Sequence, residues 1–182
     1  MKRLLIGTTL AAIVMFFWGF LCWGALPFAW QIIGRAPDEA ALQKALREAL
    51  PQPGAYFLPH PSSGASDPAT HAARAKEGPI ATVLIHGGED PNDPAPMIWG
   101  FVHMWVSALL MGLLLQRFAP ASVSAAIGVA ASAGLAAAVW ADLGRPIWYA
   151  QPWDYHLLYA VYELVGWVLA GAVLGYFLRP RP

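Results

Sequence analysis

The sequence predicts a mainly α-helical membrane protein: four transmembrane helices in a bundle, with a small extracytoplasmic α+β insert between the first and the second. Three observations carry this expectation. The 182 residues are 58% hydrophobic and only 12% charged, about half the charged share of an average soluble protein. Four stretches reach the roughly 20 apolar residues that a bilayer crossing requires. The charge is also segregated, since five of the eleven Lys/Arg and eight of the eleven Asp/Glu fall in residues 28–96.

The first span, residues 4–27, reads LLIGTTLAAIVMFFWGFLCWGALP and carries no charge. Lys2 and Arg3 make a short positive start, as in a signal peptide. The apolar run is too long for a usual signal core, and no small-x-small cleavage site follows it. Cys22 is preceded by GFL, without the small residue that a lipoprotein site needs. A retained anchor is therefore expected. Cys22 is the single cysteine, which excludes an intrachain disulfide, a CxxC redox pair and a cysteine zinc site.

Within the insert, residues 28–96, the run PDEAALQKALREAL over 37–50 predicts a helix. Pro37 suits the first turn, Asp38 and Glu39 suit the positive end, and Leu42, Ala45, Leu46 and Ala49 form one apolar stripe. Strands are expected near 54–59 and 78–87, where GAYFLP and GPIATVLIHG stand. Two strands alone are marginal in water, so they need the 37–50 helix or the ends of the spans as a lid. Residues 61–76 between them are Ser-, Ala- and Pro-rich and read as a patternless loop. GGEDPNDPAP then makes a stiff acidic linker. It lacks the spacing and the glycine of an EF-hand, and no metal is expected there.

The remaining spans are residues 97–116, 119–141 and 155–178. The third is rich in small residues, with Ser124, Gly128 and Ser132 recurring every four positions. The fourth carries Gly166 and a GxxxG pair, Gly171 and Gly175. Both patterns let a neighbouring backbone approach closely and predict helix packing, within the chain or against another protein. Lys2, Arg3, Arg117, Arg179 and Arg181 would face the cytoplasm if the N-terminus is inside, leaving only Arg145 in the outer loop between the last two spans. The insert is then outside, in the periplasm of a Gram-negative cell. Trp23, Trp30, Trp99, Trp140, Trp148 and Trp153 fall near that outer interface, where indoles anchor.

Ionisable groups inside a span cost a few kcal/mol against lipid and so tend to face protein or water. His103, in the stretch WGFVHMW, and Glu163 are the two within the spans proper; Asp142, Asp154 and His156 lie near the outer ends. At about 1.5 Å per helical residue His103 and Glu163 come to similar depth. Trp99, His103 and Ser107 share one helical face, and His156, Tyr159, Glu163 and Trp167 share another. A hydrogen-bonded clasp between His103 and Glu163 is the simplest expectation. A proton or ion relay over Glu163, His103, His156 and Asp142 is a second, although no ionisable partner stands in the inner half of the spans. A tetrapyrrole held axially by His103 is a third. No GxSxG, HExxH, P-loop or GxGxxG occurs, so no catalytic residues are assigned and no enzyme is expected. Zero net charge leaves no footprint for nucleic acid.

The motifs FFWGFLCWGALPF, PQPGAYFLP, GPIATVLIHGG and WYAQPWDYHLLYAVYELVGWVLAGAVLGYFLRP, in this order, resemble a family of small uncharacterised bacterial inner-membrane proteins. The likeness spans most of the chain apart from the 61–76 loop. It implies one span, an outer α/β insert and three further spans, and it transfers no catalytic residue. The expected role is a non-catalytic accessory or assembly subunit of a larger respiratory or photosynthetic complex, surrounded by lipid and other integral subunits. The alternatives are a small transporter or envelope-lipid handling protein using the outward polar cluster, and a pigment- or haem-carrying subunit.

Overall fold

In the computed structural model, residues 1–60 and 68–179 are described. Four of its helical segments are long and apolar enough to cross a membrane: Lys2–Ala25, Ala95–Phe118, Val123–Tyr149 and Trp153–Leu178. The chain thus has the helices of a multi-pass membrane protein.

Helix α1 (Lys2–Phe20) continues through a π-helical turn, Leu21–Ala25, closed by Leu26 N–H donating to the Leu21 carbonyl at 2.9 Å. The wider turn inserts a residue into the helical spiral, and Pro27, which has no N–H to donate, ends it before the short α2 (Phe28–Ile32). The third helix, α3 (Glu39–Ala49), is capped by Asp38, whose side chain accepts from Ala41 N–H at 2.9 Å. Pro37 therefore precedes the cap and is not in the first turn. The apolar stripe of α3 stays at the surface, with Leu42 48% exposed and no residue of the helix buried.

Strands β1 (Gly54–Leu58) and β2 (Ala81–Ile85) pair antiparallel, with Tyr56 opposite Val83. They are shorter than their apolar runs because Pro59 and the Gly78–Pro79 pair interrupt the ladder. Between them the patternless loop is corrected in part: Pro68–Glu77 is a helix, α4. Pro68 opens it, Ala and Arg fill it, and Arg74 and Lys76 meet its negative end. Residues 61–67 lie outside the described ones. An end of the spans meets the hairpin: Phe57 meets the Tyr149 ring edge-on at 6.1 Å, and Gln151 Nε2 donates to Thr82 Oγ1 at 3.1 Å.

Helix α5 (Ala95–Phe118) ends at Ala119 in left-handed conformation (φ 46°). Helix α6 (Val123–Ala141) starts on Ser122, which caps Ala125 N–H at 3.1 Å. The loop expected after it instead holds a short helix, α7 (Gly144–Tyr149), before α8 (Trp153–Leu178).

α8 is the hub. One side packs on α6, where Gly171 and Gly175 meet Ala130 and Ala126 so closely that an added Cβ would lie 2.7 and 2.6 Å from theirs. Gly134 lies directly beneath the Trp167 indole. The other side of α8 packs on α1, which also contacts α5, so α1 is wedged between α5 and much of α8. The buried core comprises Ala11, Ala12, Ala108, Met111, Leu115, Ala126, Ala130, Ala170 and Leu174. Small side chains dominate it because without a strong hydrophobic force between helices in lipid, close backbone approach supplies the packing. The Ser124, Gly128 and Ser132 stripe is a correction: within this chain it points outward, with nothing within 4 Å of a Cβ at Gly128. The α6 face that packs is Ala126, Ala130, Gly134 and Ala138.

Arg3 Nη2 donates to the Arg179 carbonyl at 3.4 Å, which puts the start of α1 beside the end of α8. Leu4 against Gly112 makes α5 antiparallel to α1, so Arg117 reaches that same end. Arg181 lies outside the described residues. The hairpin, α7 and Asp142 stand at the opposite end of the helices, called the insert end below.

Candidate functional site

Asp142, His156 and Glu163 gather at the insert end, on α8 and the end of α6. Asp142 terminates α6, its N–H donating to Ala138 O at 2.9 Å. His156 lies in the first turns of α8 and Glu163 two turns deeper. Asp142 and His156 are buried, 8% and 3% exposed, and Glu163 is half-buried. The carboxyl groups of Asp142 and Glu163 interact directly, and Asp142 also lies within charge range of His156 and Arg145. Two carboxyl groups can hydrogen-bond to each other only through a proton on one of them.

His156 Nε2 stands 2.6 Å from Gln151 Oε1. An amide oxygen only accepts, so the imidazole carries its proton on Nε2 in this arrangement. The Gln151 amide nitrogen then donates to Thr82 Oγ1 on β2 at 3.1 Å. A hydrogen-bonded relay therefore leads from His156 through Gln151 to the hairpin, with Asp142 and Glu163 beside it within charge range and not hydrogen-bonded to His156. Asp142 Oδ2 and His156 Nδ1 are buried with no hydrogen-bond partner among the described residues. Both groups line a cavity of about 760 Å³ that also touches Arg145, Asp154, Tyr155 and Tyr159.

An aromatic ladder closes the inner side of this cluster. Trp23, within the π turn, lies 4.9 Å from the Tyr159 ring and 5.5 Å from that of Tyr162. Tyr155 lies tilted against Tyr159 at 4.9 Å and meets His156 edge-on at 5.0 Å. Trp18 Nε1 donates to the Tyr162 carbonyl at 3.0 Å. Offset and edge-on ring pairs of this kind add roughly 0.5–1.5 kcal/mol each beyond burial.

The structure brings together His156, Tyr159, Glu163 and Asp142, but not His103. That residue is exposed on α5 and has no hydrogen bond to a described residue, and Ser107 is half-buried below it. The expected His103–Glu163 clasp is thus corrected: depth matches, but α1 lies between α5 and the Glu163 face of α8. Asp142 takes the place assigned to His103. Gln151 and Thr82 were not anticipated; the one signal for Gln151 was its position in QPW, just ahead of the α8 start and five residues before His156. Of the six interface tryptophans, Trp30, Trp99, Trp140, Trp148 and Trp153 are more than half exposed. Trp23 is half-buried in the aromatic ladder. Gly166 faces Met15 and Trp18 of α1 at ordinary contact distance.

Chemically the cluster can hold and exchange a proton and can hydrogen-bond a polar group entering the cavity. No group of three or more His, Cys, Asp or Glu among the described residues is arranged to hold a metal ion. Beyond Glu163, α8 carries no ionisable Asp, Glu, His, Lys or Arg until Arg179, so the polar cluster ends inside the span. Comparison with protein-family models, curated proteins and solved structures finds no match to this chain.

Proposed function

We propose that the chain is a non-catalytic accessory subunit of a larger bacterial inner-membrane complex, of respiratory or photosynthetic type, and that α5 is its seat. The observation that carries this reading is the exposed His103. It stands in a span on a face shared with Trp99, Val106 and Leu110, which are 69%, 45% and 62% exposed. A polar ring in a span costs free energy against lipid and is relieved against protein. A neighbouring helix that supplies a hydrogen-bond partner to His103 satisfies it.

In this reading both termini are cytoplasmic and the insert is periplasmic. Support comes from Lys2, Arg3, Arg117 and Arg179 lying at one end and five exposed indoles at the other. The test is purification in mild detergent with photo-crosslinkers at Val106 and Leu110. The expected result is a stoichiometric integral-membrane partner crosslinked at both positions and lost in His103→Leu. A chain that purifies alone and crosslinks only lipid overturns it.

A second reading is favoured by the Asp142–Glu163–His156 cluster beside its cavity: a small transporter or envelope-lipid handling protein. There Glu163→Gln abolishes the transport phenotype while leaving the fold intact. An unchanged phenotype leaves the cluster a packing device. A tetrapyrrole at His103 would have to lie between α5 and a partner helix, and an absorption spectrum of the intact complex without a Soret band removes it.

A further inference from the structure

A second cavity lies on the other side of Arg145 and Gln151. It is a groove of about 1300 Å³ open along the side of the helices. Its floor is the outward face of α6 from Ser132 through Leu135 and Val139, and Ile147 of α7 walls its upper part. Trp140, Trp148 and Trp153 rim it, and the hairpin covers its end with Phe57 and Thr82. The groove is mostly apolar, with Ser132 at its deep end and Thr82, Arg145 and Gln151 at the insert end.

Two features identify an occupant. The first is length. From Ser132 to Ala141, α6 rises about 14 Å at roughly 1.5 Å per residue, close to half of the ~30 Å hydrocarbon thickness of a bilayer. The groove therefore matches one leaflet, from the midplane to the headgroups. The second is charge. Arg145 stands at the mouth, its Nε donating to Ala141 O at 3.3 Å. Its terminal nitrogens make no hydrogen bond or ion pair to a described residue. A guanidinium fork with free donors matches a phosphate oxygen pair, and indoles favour the same headgroup depth.

We propose that this groove is a binding site for an anionic phospholipid of the surrounding leaflet, with one acyl chain along Leu135, Val139 and Ile147 and the phosphodiester on Arg145. The site is independent of whether α5 docks on a partner. It would place a lipid headgroup beside Gln151 and Thr82, so occupancy would brace the hairpin against the helices.

The full chain is reconstituted in phosphatidylcholine vesicles doped with phosphatidylglycerol bearing a diazirine on its acyl chain, and adducts are mapped by mass spectrometry. Adducts are expected at Leu135, Val139 and Ile147 at several-fold the yield at Val106 and Leu110, which are equally open on α5. Arg145→Gln should lower the groove yield several-fold and leave the α5 yield unchanged. Ala136→Trp, which fills the groove, should remove the groove adducts by an independent route. Soluble glycerol phosphate in millimolar excess should not compete; if it does, the site reads a free phosphate and not a lipid. Even labelling of α5 and α6, indifference to both substitutions, or equal groove labelling by a phosphatidylcholine probe overturns the proposal.

Discussion

Gly171→Ala tests the α6–α8 contact directly. The new Cβ would lie 2.7 Å from Ala130 Cβ, 3.1 Å from Ile127 Cα and 3.3 Å from Ala126 O. Carbon pairs settle at about 3.5–4.0 Å, so the two helices must part by about 1 Å at this crossing. Overpacking of this size costs about 1–3 kcal/mol, while the intrinsic helix preference for Ala over Gly returns up to about 1 kcal/mol. Gly128→Ala on α6 has the same intrinsic gain with nothing within 4 Å of the new methyl. The difference between the two substitutions is therefore the clash alone, about 1–3 kcal/mol. Unfolding in mixed micelles with increasing SDS, followed by circular dichroism, measures both. Adding Ala130→Gly to Gly171→Ala removes the nearest clash, and the pair should be less destabilised than the sum of its parts by about 1 kcal/mol. Effects at 171 and 128 that agree within about 0.5 kcal/mol, or strict additivity of 171 with 130, would refute this packing.

Three further outcomes are expected. Gln151→Ala strands the buried His156 N–H and frees Thr82, at about 1–3 kcal/mol; amide exchange in Ala81–Ile85 should rise, and unchanged protection there would show that the hairpin is held by Phe57 and Tyr149 alone. Trp18→Phe removes the indole bond to the Tyr162 carbonyl and should cost about 1 kcal/mol in the same SDS titration, with no loss if the ring stacking alone matters. A reporter fused after Pro182 should read cytoplasmic, and a periplasmic signal would reverse the proposed orientation.

Much of the fold is legible because apolar run length and flanking charge need no tertiary information. The spans foreseen at 97–116 and 155–178 differ from Ala95–Phe118 and Trp153–Leu178 only at their ends, where Pro94–Pro96 and Pro152 favour helix starts. Where the reading fell short, local preference was weaker. In α4 the run PATHAARAKE lies after a Ser- and Pro-rich stretch, and its helix formers carry no apolar stripe to mark them. In α7 the sequence GRPIWY makes a single short helix, too short for any apolar period to mark it, packed beside α6 and α8. The π turn has no marker but the Pro27 that follows it.

The site divides on a different line, between depth and azimuth. Depth follows from counting residues, and it puts His103 and Glu163 at one level. Azimuth depends on which helices are neighbours, and residue spacing within a single helix is silent on that. The glycines of α8 hold the key. Gly171 and Gly175 admit α6 on one side of α8, which carries the end of α6, and with it Asp142, over Glu163. The opposite side takes α1, whose Gly19 meets Tyr162 Oη and Met104 of α5 at close range. With α1 in that position, α5 can touch α8 only sparingly, and His103 turns away. The same small residues thus settle two things at once: an acid pair is assembled inside the chain, and an imidazole is left on its outer face. The acid pair finds charged neighbours at home, in His156 and Arg145. The imidazole does not, which is why the weight of the proposed assembly rests on α5 and not on the more crowded cluster at the insert end.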